Sequence, residues 1–220
     1  MMMISDLHAP FHHPGATEFL RRLQRAFKPD RVVCLGDEID LASASRFPKE
    51  PDSPSPDGEI ELAREALAPI FKLFPHVSVC TSNHAARAAK RAKESSIPTR
   101  FVRSVRDVIG APSGWQWRDW WRIDGVIYCH GEGFSGANAA RTAAEKYRAS
   151  TVIGHVHAFA GVQWIAAPMA PLIFGMNCGC LVDIDSPAMR YGRWLSTRPV
   201  IGTGVVIDGL PQFVPMEYRK

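Results

Sequence analysis

Short, largely apolar runs alternate with longer segments of helical periodicity over most of the chain. The runs cover residues 1–5, 31–35, 77–81, 126–129 and 151–153, and each stops at a polar residue or cluster. Runs bounded in this way are typical of buried strands. Apolar residues at helical spacing predict helices over residues 15–27, 59–74 and 136–148. The alternation predicts an α/β sheet covered on both faces, with ligands bound beyond the strand ends.

The pattern changes after Val162, where shorter apolar segments are separated by proline and glycine. The predicted strands cover residues 163–168, 179–184, 192–195 and 200–206. We expect them to form a second sheet that packs on the first. The 220 residues would then form one layered domain, 1–220, rather than two domains.

Two segments interrupt this alternation. Residues 47–58 contain four prolines and predict a loop on the site side of the sheet, which we interpret as a connector in preference to a substrate rim. Residues 115–122 contain four tryptophans. Strand alternation places Trp115, Trp117 and Trp121 on one face of a half-buried strand or hairpin.

The composition is that of an ordinary globular chain. Hydrophobic residues make up 46% and charged residues 22%, which does not suggest disorder. No apolar stretch reaches membrane-spanning length and no leader precedes the first polar cluster, so we expect a cytoplasmic protein without membrane contact and with reduced cysteines. The net charge of +4 is compatible with a phosphate-bearing substrate but does not require nucleic acid.

The polar clusters that follow the predicted strands supply carboxylates, imidazoles and an amide, which are ligands suited to Mn, Fe and Zn. A pair of divalent ions about 3.5–4 Å apart needs a bridging carboxylate. Asp37 is the predicted bridge, because Gly36 allows a tight turn before it. The predicted ligands of the first ion are Asp6, His8, Asp37 and His157. The predicted ligands of the second ion are Asp37, Asn83, His130 and His155.

The order of these clusters resembles the calcineurin-like metallophosphoesterase superfamily. The matching blocks are Asp-x-His, Gly-Asp-x-x-Asp, Asn-His, a single His after a strand, and Gly-His-x-His, between residues 6 and 157. The resemblance implies a four-layer αββα sandwich, with two mixed β-sheets flanked by helices. It also implies two divalent metal ions, with Mn favoured over Fe/Zn, Ni or Mg, and hydrolysis of phosphate esters by a metal-bridging hydroxide.

By the same resemblance, His84 is the catalytic histidine and Asp40 orients neighbouring groups. The chain departs from the family pattern at two positions, Ser82 in place of glycine and Ala85 in place of an acid. Ser82 is tolerable where the backbone angle is not strongly positive. Without an acid at position 85, either another carboxylate orients His84 or His84 is a weaker acid. Arg87, three residues later, could instead contact phosphate.

The substrate class rests on basic and aromatic residues. Six cations follow His84 closely, namely Lys90, Arg91, Lys93, Arg100, Arg103 and Arg106. With the tryptophans they favour a nucleotide or single-stranded nucleic acid phosphodiester. The competing interpretation, given equal weight, is a solvated helix face and a tryptophan core. The alternative functions are a phosphomonoesterase and a non-catalytic binding protein, and exposed tryptophans could equally mark an oligomer contact.

Overall fold

The computed structural model describes residues 1–46, 53–186, 189 and 197–216. Within these residues the strands are β1 (Met2–Ile4), β2 (Val32–Cys34), β3 (Val77–Cys80), β4 (Trp115–Arg118), β5 (Trp120–Ile123), β6 (Val126–Cys129), β7 (Thr151–Ile153), β8 (Ala160–Ile165), β9 (Ile173–Cys178), β10 (Gly202–Ile207) and β11 (Leu210–Pro215). The α-helices are α1 (Ala16–Phe27), α2 (Pro56–Leu73), α3 (Arg87–Glu94), α4 (Val105–Ile109) and α5 (Ala139–Tyr147).

The strands form two mixed sheets. The six-stranded sheet has the order β11-β10-β1-β2-β3-β4, and β1 to β4 run parallel to one another. The five-stranded sheet has the order β5-β6-β7-β9-β8, with β6, β7 and β9 parallel and an antiparallel strand at each edge. Parallel neighbours direct their carboxyl ends to the same side, so the loops that follow them meet.

Apolar residues fill three layers of core. Between the sheets, Met3 and Val33 share a cluster with Tyr128, Val152 and Met176. On the outer face of the six-stranded sheet, α1 and α2 contribute most of the helical side chains to the largest cluster. Helix α5 covers the other sheet with alanines. The order of layers is therefore helices, sheet, sheet and helix, which is consistent with the predicted sandwich.

The order of elements is α/β as predicted, but several boundaries and one sheet assignment were wrong. Helix α2 begins at Pro56 rather than at residue 59, because the Ser55 side chain accepts a hydrogen bond from the Gly58 amide and caps it. Residues 179–184 are not a regular strand; the strand is Ile173–Cys178, just before them. The predicted strand 200–206 pairs with β1 in the six-stranded sheet. Predictions for residues 47–52 and 192–195 lie outside the described residues.

The tryptophan segment forms two strands in different sheets instead of one strand or a hairpin. Trp115 and Trp117 lie in β4, which pairs with β3 of the six-stranded sheet. Trp120 and Trp121 lie in β5, which pairs with β6 of the other sheet. Asp119 therefore marks the point where the chain crosses from one sheet to the next. Alternation along the sequence could not detect this crossing, because it is set by pairing with distant strands.

Helix α5 lies very close to the five-stranded sheet at Gly175 in β9. A Cβ atom built on Gly175 would lie 2.3 Å from the carbonyl oxygen of Ala140. The alanines of α5 and this glycine together permit the approach, and any side chain at position 175 would force the helix away from the sheet.

We predict that Gly175→Ala lowers the free energy of unfolding by about 1–3 kcal/mol, because the added methyl overpacks the contact between helix and sheet. Urea denaturation measures the change. Gly58→Ala, in the first turn of α2, is the control. Its added Cβ would lie 3.1 Å from the Ser55 hydroxyl and against no backbone atom, and alanine suits a helix better than glycine does. Equal transition midpoints for Gly175→Ala and the unaltered chain would contradict the packing argument.

Candidate metal centre

Polar side chains from five strand ends meet between the two sheets. Asp6 and His8 follow β1, Asp37 follows β2, and Asn83 follows β3. His130 follows β6, and His155 and His157 follow β7. All five strands are parallel members of their sheets, so their carboxyl ends lie on the same side. The structure thus brings together all seven residues that the sequence predicts as metal ligands.

The first donor group is Asp6, His8, Asp37 and His157, whose ligand atoms all lie within 4.8 Å of one another. The Nε2 atoms of His8 and His157 are 3.2 Å apart. The His157 Nε2 atom is also 3.2 Å from Asp6 Oδ1. These four residues are the set that the sequence assigns to one ion.

The second donor group contains Asp37, His130 and His155, whose ligand atoms also lie within 4.8 Å of one another. The Nδ1 atom of His155 is 3.1 Å from Nε2 of His130. The amide oxygen of Asn83 lies 2.8 Å from the same His130 atom. Asp37 belongs to both groups, because its Oδ2 atom is 3.6 Å from His8 Nε2 and 3.4 Å from His130 Nε2.

The donor atoms fit divalent cations because carboxylate, imidazole and amide lone pairs converge within a small volume. His8 Nδ1 lies 2.8 Å from Asp40 Oδ1, and His130 Nδ1 lies 2.9 Å from the Leu35 carbonyl. An acceptor at Nδ1 places the ring proton there and leaves the Nε2 lone pair facing the centre. Two imidazole nitrogens held about 3 Å apart repel unless a proton or a cation lies between them. Carboxylate, imidazole and amide donors together suit Mn, Fe or Zn.

The backbone at the centre adopts an unusual conformation. Asp6, His8, Asp37 and His155 have φ angles of 48°, 50°, 49° and 65°, in the left-handed region that non-glycine residues rarely adopt. Such conformations cost about 1–3 kcal/mol each and cluster at functional sites. Gly36 has φ 100°, and a Cβ atom there would lie 2.7 Å from Ser82 Cβ. The tight turn predicted before Asp37 therefore requires glycine.

Opposite charges offset the burial of the carboxylates. Burial alone raises the pKa of Asp37, but the charges of His130, His84 and His8 outweigh it and hold the pKa well below its usual value. Burial likewise opposes ionisation of Asp6, yet the contact with His157 lowers its pKa. In return, Asp37 overcomes the effect of burial on His130 and raises its pKa to about 9. The centre is thus built to hold positive charge beside two buried carboxylates.

Asp40 contacts two histidines of the centre, His8 and His84. Besides His8 Nδ1, its Oδ1 atom lies 3.0 Å from His84 Nδ1, which is also 2.8 Å from the Asp40 carbonyl. Burial lowers the pKa of His84, but the hydrogen bond to Asp40 and the nearby carboxylates raise it overall. Because position 85 is alanine, the sequence left open whether another carboxylate orients His84 or His84 is a weaker acid. The geometry favours the first alternative, since the Asp40 carboxylate contacts the His84 ring.

Ser82 and Arg87 surround His84. The Ser82 hydroxyl accepts a hydrogen bond of 3.0 Å from the Asp37 amide, and its backbone is not in the left-handed region, as expected. Arg87 places Nη2 3.0 Å from His84 Nε2 and donates from Nη1 to the Asp40 carbonyl at 2.8 Å. Arg87 therefore lies at the rim of the centre, where it contacts the catalytic candidate directly.

A cavity of about 300 Å³ opens over the donor groups. Asp37, Asn83, His84, His155 and His157 form its floor, and Val156, Ile184, Met189 and Pro199 contribute an apolar wall. Arg198 also lines it, a residue that sequence analysis missed. A single arginine more than forty residues after the last ligand, and outside every motif, carries no sequence signal of its own.

The basic and aromatic residues that suggested the substrate separate in the structure. Trp115 is fully buried and donates to the Phe74 carbonyl, and Trp117 donates to Glu38. Trp121 packs in the core between the sheets, whereas Trp120 is 57% exposed. Three of the four tryptophans are thus core residues, which favours the competing interpretation for them. Of the six cations, Lys90 and Arg91 line a groove beside the centre.

Comparison with known proteins did not identify the chain: no protein-family model matches it, and a search of curated proteins found no significant match. The five cysteines are buried and unpaired. Within residues 1–46, 53–186, 189 and 197–216, no helix is long and apolar enough to cross a membrane.

We predict that Asp37→Asn abolishes paired metal binding, because an amide lacks the charge and the second anionic oxygen that a bridge requires. The measurement is metal content per chain by plasma mass spectrometry after loading with Mn and desalting. Asp30→Asn, at an exposed aspartate, is the control and should leave the metal content unchanged. If Asp37→Asn retained the metal content of the unaltered chain, Asp37 would not be the shared ligand.

Proposed function

We propose that this chain is a metal-dependent phosphoesterase of the calcineurin-like type, acting on a phosphodiester of a nucleotide or nucleic acid with two divalent ions at the centre. The observation that carries the proposal is the position of Asp37, whose Oδ2 atom faces imidazoles from both donor groups at 3.4–3.6 Å. Two donor sets that share one carboxylate are what a pair of ions requires. The layer order and the sequence blocks support the same assignment.

When bound, the two ions would polarise the phosphoryl oxygens and lower the pKa of water, with Mn favoured over Fe/Zn, Ni or Mg as the metal. The protein's own part is to hold the donors rigidly and to supply charge to the substrate. Asp40 fixes the rings of His8 and His84 through their Nδ1 atoms. Nε2 of His84 is then the ring atom that faces the substrate side. It accepts from Arg87 Nη2 at 3.0 Å, and once Arg87 turned to the phosphate this atom would stabilise charge on the phosphoryl group or protonate the leaving oxygen.

Two arginines lie close to the cavity. Arg87 contacts His84, which lines the cavity, and Arg198 lines the cavity itself. A guanidinium can pair with phosphoryl oxygens through two parallel hydrogen bonds. This arrangement also favours the second candidate function, a phosphomonoesterase, since a dianionic monoester would use both arginines. The only sequence feature that supported a non-catalytic protein was Ala85, and Asp40 provides the missing carboxylate.

We predict that chelation removes activity, that Mn restores it, and that kcat/KM is higher for bis(p-nitrophenyl) phosphate than for p-nitrophenyl phosphate. The test is a matrix of five added metals (Mn, Fe, Zn, Ni and Mg) against these two substrates. A preference for the monoester would favour the phosphomonoesterase instead. Metal binding without turnover in any combination would favour the binding protein and contradict the proposed hydrolase.

We predict that His84→Ala lowers kcat by about a hundredfold or more, because it removes a positioned acid, while metal content stays nearly intact. Turnover of bis(p-nitrophenyl) phosphate and metal content are measured on the same preparation. His76→Ala, at an exposed histidine before β3, is the matched control and should keep full activity. Full activity in His84→Ala would remove this residue from the mechanism.

A further inference from the structure

We propose that a basic groove beside the candidate metal centre binds the phosphate that neighbours the scissile one in a single-stranded nucleic acid. This proposal rests on the proposed function and narrows its substrate class. The basic groove is a cavity of about 300 Å³ lined by Arg46, Asn83, Arg87, Lys90, Arg91 and Glu94, among others. Four of these side chains are cationic and one is acidic.

The groove begins at the centre itself. Asn83 lines both the groove and the cavity over the donor groups, so the two spaces meet at a predicted metal ligand. The exposed fraction of the cationic side chains rises outward, from 21% at Arg87 through 43% at Arg91 to 74% at Arg46. A chain bound at the centre could therefore leave along a path of positive charge.

Helix α3 presents these cations on one face. Arg87, Lys90, Arg91 and Glu94 follow one another at helical spacing and face the segment that contains Arg46. The opposite face carries three alanines and Lys93, and Ala88 and Ala89 line a largely apolar cavity on that side together with Ala85, which precedes the helix. The helix contributes little to the core, since Ala92 is its one buried residue. Its sequence is explained better by the groove than by packing.

Backbone carbonyls hold two of the guanidiniums in place. Arg91 donates from Nε to the Ala44 carbonyl at 3.0 Å and from Nη2 to the Ser45 carbonyl at 2.7 Å. Arg87 donates to the Asp40 carbonyl. These bonds neutralise no charge, so both arginines stay cationic while their conformations are fixed. Fixed cations lose less entropy when an anion binds.

The buried Asp40 carboxylate lies 3.9 Å from Arg87 Nη1 and offsets part of the charge of Arg87, which leaves Arg46, Lys90 and Arg91 as the cations available to a ligand. The acids beside these three are more exposed. Glu94 contacts Arg46 and lies 3.3 Å from Arg91, and Glu132 lies 3.5 Å from Lys90. These pairs are partly or largely exposed, and such pairs contribute about 0–1 kcal/mol each. A phosphate can therefore replace the carboxylates at small cost.

The repeated charges favour a polynucleotide over a small phosphate ester. Cations one helical turn apart, about 5.4 Å along α3, suit an anion with regularly spaced charges. They line one groove beside the centre, and a positively charged groove that follows the backbone is how proteins bind single-stranded nucleic acid. A phosphorylated peptide carries fewer and irregularly spaced phosphates, so we assign the groove to single-stranded nucleic acid.

The test compares the double variant Arg46→Ala/Lys90→Ala with the control Lys72→Ala/Lys93→Ala, which removes the same charge from exposed positions outside the groove. Binding of a fluorescein-labelled oligothymidylate to chelated protein is followed by anisotropy over a salt series. We expect the groove variant to bind about tenfold more weakly and to lose about 0.7 per cation from the slope of log K against log salt. The control should change Kd less than about twofold.

A second arm measures kcat/KM with Mn on the oligothymidylate and on bis(p-nitrophenyl) phosphate, which has no neighbouring phosphate. We expect kcat/KM on the oligothymidylate, divided by kcat/KM on bis(p-nitrophenyl) phosphate, to fall about tenfold in the groove variant, in parallel with its binding. The same ratio should not fall in the control variant. If both double variants bound the oligothymidylate equally well, the groove would not be its binding site, even if the enzyme were active. Stronger competition by a doubly phosphorylated peptide than by unlabelled oligothymidylate would overturn the nucleic-acid assignment. Absence of turnover on either substrate would overturn the proposed function, and anisotropy would still decide the groove.

Discussion

The structure depends on keeping two carboxylates, Asp6 and Asp37, ionised where water is almost excluded. An unpaired buried charge is too costly for a fold to carry, so positive charge must lie beside these groups. Among the described residues, histidines from four strand ends provide it, with a proton or a bound cation between the rings. This requirement fixes where the strands that carry the carboxylates and histidines must stop, namely β1, β2, β3, β6 and β7. It also excludes side chains nearby, since a Cβ at Gly154 would lie 2.3 Å from Asp6 Oδ2.

The imidazole rings must also be held in the correct orientation. Asp40 does this for both His8 and His84. One carboxylate contacts Nδ1 of His8, a predicted metal ligand, and Nδ1 of His84, the catalytic candidate. The two rings pack edge to face with centroids 4.5 Å apart. A change at Asp40 would therefore disturb the orientation of a predicted metal ligand and of the predicted catalytic histidine together. In the sequence, the resemblance marks this position only as an acid near the site.

The sequence was sufficient to predict features that depend on local order. Strand ends marked by polar clusters placed Asp6, Asp37 and His155 correctly, because parallel strands bring such ends together. The sequence was insufficient where pairing with distant strands decides which sheet a segment joins. The tryptophan segment, which crosses from one sheet to the other at Asp119, is the example. Helix α3 entered only through the competing interpretation of a solvated helix face, without bounds, because its alanines and cations lack the large apolar residues that reveal periodicity. Arg198 was missed because only folding brings it to the cavity.

The two departures from the family pattern, Ser82 and Ala85, have a common physical explanation. The Ser82 hydroxyl accepts hydrogen bonds from the Asp37 amide at 3.0 Å and the Ala85 amide at 3.4 Å, which glycine could not do. Its Cβ atom occupies the space that Gly36 leaves free. The His84 amide in turn donates to Asp37 Oδ1 at 3.3 Å. Hydrogen bonds from the His84 amide and to the Ser82 hydroxyl already hold residues 82–85 against Asp37. Because Asp40 also orients the His84 ring, an acid at position 85 is not needed to place His84.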